Sequence, residues 1–329
     1  MSPKQSLGRI TAIASTALLA GTLALAAPLA ANAGQAAQAP AAATQQSAPA
    51  EGTENRRTVL YYQTQYHEGA YVSPLPMVQR QTGLTDLIVG AIHVNETPGE
   101  IRLNDDLPAD AKFDTMWDEL GTMQDHGVDV IGMLGGAARG TFDRLDLDTF
   151  DTYYPHLRDL VETYGLDGLD LDVEEDMSLP GVINLIDQLK ADFGEDFIIT
   201  LAPVATALKG GTSISGFNYD ELYAARGADI EWFNTQFYCG WGTLETTAGY
   251  DAIMEYGVYP ADKVVAGTIT DPSLCRGFVE VDTLAKTVNE LSNKYPGFGG
   301  VMGWEYFTSQ PGGTEKPWKW AEIITKAMR

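Results

Sequence analysis

Cysteine and histidine are scarce in this chain of 329 residues: two Cys (Cys239, Cys275) and four His (His67, His93, His126, His156). None stands at a paired ligand spacing, so no metal, structural or catalytic, and no cofactor is expected. Positive charge is also short, with 21 Lys and Arg against 45 Asp and Glu and a formal charge of −24. That balance argues against nucleic acid or anionic lipid as a partner, since both are bound through positive surfaces. A glycine-rich phosphate loop is missing after the first β-type run, which disfavours an open doubly wound sheet built to hold a dinucleotide.

What the amino terminus has is a leader. Lys4 and Arg9 precede an apolar run from Ile10 to Leu29, and Ala31-Asn32-Ala33 closes it without one acidic residue in Met1 to Ala33. This is the order of a cleavable export signal. A membrane-spanning helix is the alternative, but Thr, Ser, Gly and Pro28 interrupt the run and the ending is of cleavage type. Cleavage after Ala33 is expected. It would remove Lys4 and Arg9, take the charge from −24 to −26, and release an extracellular chain with no membrane attachment. Residues 34–57 are mostly Ala, Gln, Pro, Ser and Thr with no aromatic. Such a stretch cannot bury enough apolar surface to offset its ordering entropy and reads as a flexible tether. Residues 58–329 then form one domain of barrel size, with a monomer as the default expectation.

Within that domain β-type and helix-type runs alternate. Strands are expected at Val59–Gln63, Asp86–His93, Val128–Leu134, Gly168–Val173, Phe197–Ala202, Trp232–Tyr238, Lys263–Thr268 and Gly300–Trp304. Amphipathic stretches between them include Ala111–Asp125, Thr149–Tyr164, Pro180–Asp192 and Val281–Lys294. Val182, Leu185, Ile186 and Leu189 make one apolar stripe at helical spacing. Eight such units close into an α/β (β/α)8 TIM barrel, whose chemistry sits at the carboxyl ends of its strands.

The fourth run ends Leu166-Asp167-Gly168-Leu169-Asp170-Leu171-Asp172-Val173-Glu174. Alternation along a strand puts Asp170, Asp172 and Glu174 on one face and Leu169, Leu171 and Val173 on the other. Three carboxylates on the inner face of a barrel are costly unless hydrogen-bonded, sharing protons or in use. A calcium loop is the other reading, but it needs a glycine at its sixth position and a later bidentate glutamate, both absent.

Here the chain resembles glycoside hydrolase family 18, the chitinases and endo-β-N-acetylglucosaminidases, whose DGxDxDxE motif is matched from Asp167 to Glu174. Met133-Leu134-Gly135-Gly136, Leu201-Ala202-Pro203, Gln236-Phe237-Tyr238 and Gly300–Phe307 match as well. The resemblance implies retaining, substrate-assisted hydrolysis. Glu174 is then the general acid, and Asp172 accepts the N–H of the substrate's own acetamide. Asp170 shares a proton or hydrogen bond with Asp172, Tyr238 donates to the acetamide oxygen, and Gln236 contacts the sugar.

On the sixth run, Asn234, Gln236 and Tyr238 alternate with Thr235 and Phe237, which puts three polar groups inward. Trp304 ends the eighth run, where an indole floors a sugar ring or simply packs in the core. Gly135 and Gly136 allow close approach of a ligand or form a plain turn. His93, Asn95, Trp241 and Glu305 stand at strand ends as substrate contacts or as solvated loop residues. Cys239 and Cys275 follow neighbouring strands, so a disulfide is expected in an exported chain, with two free thiols as the alternative.

About a dozen residues separate the seventh run from the helix at Val281. That leaves no room for the α+β insertion that walls the groove of many chitinases. An open cleft for a branched N-linked glycan follows, and the resemblance is nearest to the secreted single-domain endo-β-N-acetylglucosaminidases. A short chitinase acting on chito-oligosaccharides is the second reading. A non-catalytic lectin is the third, disfavoured because all three carboxylates are retained.

Overall fold

The computed structural model describes residues 56–329; the expected leader and all but the last two residues of the expected tether lie outside the described residues. Eight parallel strands close into a barrel: β1 (Arg57–Tyr62), β2 (Asp86–Val94), β3 (Asp129–Gly135), β4 (Gly168–Asp172), β5 (Ile198–Leu201), β6 (Trp232–Gln236), β7 (Val264–Ile269) and β8 (Gly300–Trp304). Each pairs with the next, and β8 returns to β1 with Leu60 beside Gly303. A helix follows each strand: α1 (Pro76–Gln79), α2 (Asp114–Asp125), α3 (Phe150–Tyr164), α4 (Leu179–Phe193), α5 (Tyr219–Arg226), α6 (Ala248–Tyr256), α7 (Val281–Lys294) and α8 (Lys319–Met328). The expected (β/α)8 barrel is therefore the fold, with every strand within two residues of its expected bounds.

The strands bury both faces, as parallel barrel strands must. Val59, Tyr61, Ile88, Ile131, Met133, Trp232, Val265 and Met302 form the apolar filling of the lumen. Their neighbours of opposite parity, among them Leu60, Tyr62, Val130, Leu134, Leu169 and Leu171, join the helices in an outer layer. The α4 stripe Val182, Leu185, Ile186 and Leu189 is part of that layer. Each such side chain contributes roughly 1.5–3 kcal/mol by leaving water.

Three local features depart from the sequence reading. The ordered fold begins before Thr58: Arg57 opens β1 opposite Gly300, and its guanidinium lies 4.2 Å from the centre of the Trp232 ring. Arg56 donates to the carbonyls of Ser292 (2.7 Å) and Met328, near the ends of α7 and α8, where carbonyls lack helical partners and favour a cation. A two-stranded hairpin (Tyr66–His67 with Ala70–Tyr71) decorates the loop after β1. A short antiparallel strand (Ile101–Leu103) extends the sheet at the end of β2. These pieces are too short for periodicity to register. The connection from β7 to α7 is residues 270–280, and no insertion domain interrupts it.

Asp86 opens β2 beside Val59 of β1 and Asp129 of β3, and is buried. Burial pushes its carboxyl up to about 7, against the pull of the Thr85 hydroxyl (2.5 Å) and Arg57. Because the folded value lies above the ordinary 3.8, the folded chain keeps a proton that the unfolded chain releases. This contribution is full below the unfolded value and is lost as pH rises through about 7. Asp86→Asn is therefore expected to gain thermal stability relative to the parent as pH rises from 4 to 8. Melting curves across that range check it, and a gap that does not change with pH rejects it.

Candidate active site

The alternation of β4 aims Asp170 and Asp172 into the lumen while Leu169 and Leu171 anchor the strand outward. Asp170 has no solvent exposure. Its Oδ2 accepts from the Tyr61 hydroxyl (2.6 Å), and its Oδ1 accepts from the Thr200 hydroxyl (2.6 Å) and the Asn234 amide (2.9 Å). Burial still raises its carboxyl above the usual range, with those three donors opposing. One step along the strand, Asp172 is raised further, by burial and by the charges of Glu174 and Asp170.

Gln236 joins the next layer. Its amide nitrogen lies 2.9 Å from the Ala202 carbonyl, 3.2 Å from Glu174 Oε1 and 3.4 Å from Asp172 Oδ1. The two hydrogens of this nitrogen are thus shared among the end of β5 and two carboxylates, with Asp172 the most distant. Tyr238 is buried above it, and burial with the three nearby carboxylates lifts its phenol well above the usual range. The hydroxyl therefore remains a neutral donor across the working pH range.

Asp172, Glu174, Gln236 and Tyr238 line a cavity of about 480 Å³ at the carboxyl ends of the strands, with Asp170 buried beneath it. Of the residues singled out from the sequence, Asp172, Glu174, Gln236, Tyr238, Trp304, Trp241, His93 and Gly135 all face it. Burial lowers the His93 imidazole, which favours its neutral form. Trp304 rests against Tyr61, ring centres 5.0 Å apart.

Three expectations need correction. Asn234 does not face the cavity. It is fully buried beneath it, donating to Asp170 and accepting from the Trp232 indole (2.8 Å). Glu305 is not a substrate contact either, because its carboxylate is consumed by the Thr64 hydroxyl (2.6 Å) and the N–H groups of Thr64 (2.9 Å) and Gln63 (3.2 Å). It ties the end of β8 to the loop after β1. Gly136 stands beside the site: with φ +89° it donates its N–H to the Asp172 carbonyl (2.8 Å), and a Cβ added there would lie 3.6 Å from Asp172 Oδ2. Asn95 lies in an adjoining depression instead of the cavity. Tyr61, Thr200 and Gln63 went unnoticed in the sequence. Tyr61 sits in the run Val59-Leu60-Tyr61-Tyr62, buried on both faces, where nothing marks which tyrosine points inward.

Cys239 and Cys275 form a disulfide whose residues line the cavity beside Trp241. It ties the loops after β6 and β7 across 36 residues.

Comparison with known proteins agrees with this geometry. The family model for glycosyl hydrolases family 18 matches residues 57–278. A fungal endo-β-N-acetylglucosaminidase from glycosyl hydrolase family 18 superposes with a TM-score of 0.79 at 46% identity, covering 83% of this chain and 98% of its own. Chitinase ChiC from Aspergillus fumigatus superposes with 0.76 at 47% identity, covering 83% and 100%. Chitinase Chi52 of Paenibacillus xylanexedens is 32% identical over 109 residues, 28% of this chain and 21% of its own length. A chitinase of Enterococcus faecalis is 29% identical over 181 residues, 44% and 50%. The matched stretches thus span about a fifth to a half of these curated relatives.

Tyr61→Phe strips one donor from the buried Asp170 carboxylate and is expected to lower stability by about 1.5–3 kcal/mol. Urea unfolding checks this, and an unchanged midpoint would mean the bond contributes nothing. Replacing both Cys239 and Cys275 by Ser is expected to cost roughly 3–4 kcal/mol through the reopened loop. The same unfolding measurement, made with and without reductant on the parent, should agree with it.

Proposed function

The chain belongs to glycosyl hydrolases family 18, and from that premise we propose that it is an exported endo-β-N-acetylglucosaminidase. It cleaves the β-1,4 bond within the N,N′-diacetylchitobiose core of N-linked glycans. The observation that carries the chemistry is the ladder Asp170–Asp172–Glu174 with Gln236 bridging its upper two members. In this reading Glu174, at the cavity wall, protonates the leaving glycosidic oxygen as the bond to the anomeric carbon breaks. The substrate's own acetamide oxygen closes on that carbon, forming an oxazolinium ion. Asp172 accepts the acetamide N–H and stabilises its positive charge. Tyr238, kept neutral, donates to the acetamide oxygen and aims it, while Trp304 offers an apolar floor to the ring. Water then attacks the anomeric carbon with Glu174 as base, and the configuration is retained.

Two features favour a branched glycan over a linear chain. The eleven-residue connection of residues 270–280 carries no insertion domain and contributes only Leu274 and Cys275 to the cavity lining. Polar depressions of about 520 and 440 Å³ adjoin it through Gln63 and offer space for side arms. The disulfide supports export, since such bonds persist in oxidising compartments. A short chitinase is the second reading, favoured by the 47% identity to ChiC.

Mass spectrometry of a glycoprotein with defined N-glycans distinguishes them, using wild type and Glu174→Gln beside chito-oligosaccharides. The expected result is protein retaining a single N-acetylglucosamine with wild type only. Cleavage of chito-oligosaccharides alone makes the enzyme a chitinase. Inactivity on both restores the lectin reading, and full turnover by Glu174→Gln removes the acid assigned.

A further inference from the structure

Glu175, next in sequence to the proposed acid, is a charged side chain buried outside the chemistry described above. Its Oε2 accepts the N–H of Gly140 (2.6 Å) and its Oε1 the N–H of Phe142 (2.8 Å). Both donors belong to the connection after β3, more than thirty residues away: Gly140 caps, and Phe142 lies in, a four-residue helix, Thr141–Arg144. Gly140 holds φ +110°, a left-handed backbone that turns its amide into this pair. Between them, the Thr141 hydroxyl accepts the N–H of Val94 at the end of β2 (3.3 Å). The carboxylate thereby joins the connection after β3 to the segment after β4, and the Thr141 hydroxyl carries the junction on to the end of β2.

The neighbouring contacts show what this junction controls. Ala137 and Ala138, just before Gly140, line the catalytic cavity. Among the described residues, Glu174 itself has a single side-chain hydrogen bond, to Gln236, so little but its backbone fixes it. That backbone runs in a short segment after β4, pinned at its far end where Asp146 accepts the N–H (2.7 Å) and hydroxyl (2.6 Å) of Ser178. Glu175 is the pin on the near side. Burying a carboxylate this way is unfavourable unless both oxygens are satisfied, so the bond pair resists any shift of either loop.

We propose that Glu175 is a positioning residue for the reaction: by clamping the loop after β3 it sets the placement of the Glu174 carboxyl and of the Ala137–Ala138 wall. The proposal rests on the assignment of Glu174 as acid. Misplacement of a reacting group by about 1 Å costs up to about 100-fold in rate, whereas loss of general stability leaves turnover per folded molecule unchanged.

The test uses whichever glycoprotein or chito-oligosaccharide wild type cleaves, with kcat and KM per folded enzyme for Glu175→Ala, Glu175→Gln, Glu174→Gln and Leu291→Ala. Gln keeps the shape and one acceptor oxygen but turns an amide toward a backbone N–H. The expected result is a fall in kcat of about 10–100-fold for Glu175→Ala, partly restored in Glu175→Gln, with KM within about twofold. Leu291→Ala, a buried α7 residue far from the loop in sequence, should melt earlier with kcat unchanged. Wild-type kcat in both Glu175 variants overturns the positioning role while leaving Glu174 in place. Retained turnover in Glu174→Gln overturns the acid assignment, and the positioning role with it.

Discussion

A carboxylate with no access to water can remain in a barrel lumen only if its neighbours supply the hydrogen bonds that water would have made. Asp170 is in that position, and its donors come from β1, β5 and β6 through Tyr61, Thr200 and Asn234. None of these is near Asp170 in sequence. Barrel closure and the acidic site are therefore one condition. Only when the strands reach their register, with Asp170 beside Thr200 and Met133, are the donors brought to the acid. Below this layer the lumen is apolar, and above it the polar residues open into the cavity.

The same rule operates at the rim. Glu305 is buried against Gln63 and Thr64, Asp146 holds Ser178, and Glu175 holds Gly140 and Phe142. Each is an acid whose oxygens take backbone N–H groups from a neighbouring loop. In a chain with so great an excess of acidic residues, carboxylates are the available means of tying loops, and main-chain amides are donors present everywhere. The Cys239–Cys275 disulfide does covalently between the loops after β6 and β7 what these acids do by hydrogen bonding after β8, β3 and β4. A rim held at so many points suits a site in which the proposed acid, Glu174, must be placed to within about 1 Å.

How much of this could be read beforehand depended on distance along the chain. The Asp170–Asp172–Glu174 ladder was legible because strand alternation is a local rule: residues two apart share a face whatever surrounds them. Gln236 at the end of β6 and Tyr238 two residues on followed from the same rule. Asn234 obeyed it too, but its depth in the lumen did not show, and it supports Asp170 instead of meeting the cavity. Glu305 misled because a strand-end acid on the catalytic face is a reasonable ligand contact until a loop closes over it. Tyr61 was hidden in a run buried on both faces, and Glu175 passed as a second acid beside a more conspicuous one.

By itself, then, the sequence determined the repeating βα units, the closed barrel and the end of the barrel where three acids converge. Hydrophobic period and side-chain parity are written into neighbouring residues and need no knowledge of distant ones. The tertiary structure alone decided which acids face the cavity and which are spent holding the scaffold. That choice depends on donors brought in from strands and loops 30 to 241 residues away, and a carboxylate's role is set by what surrounds it.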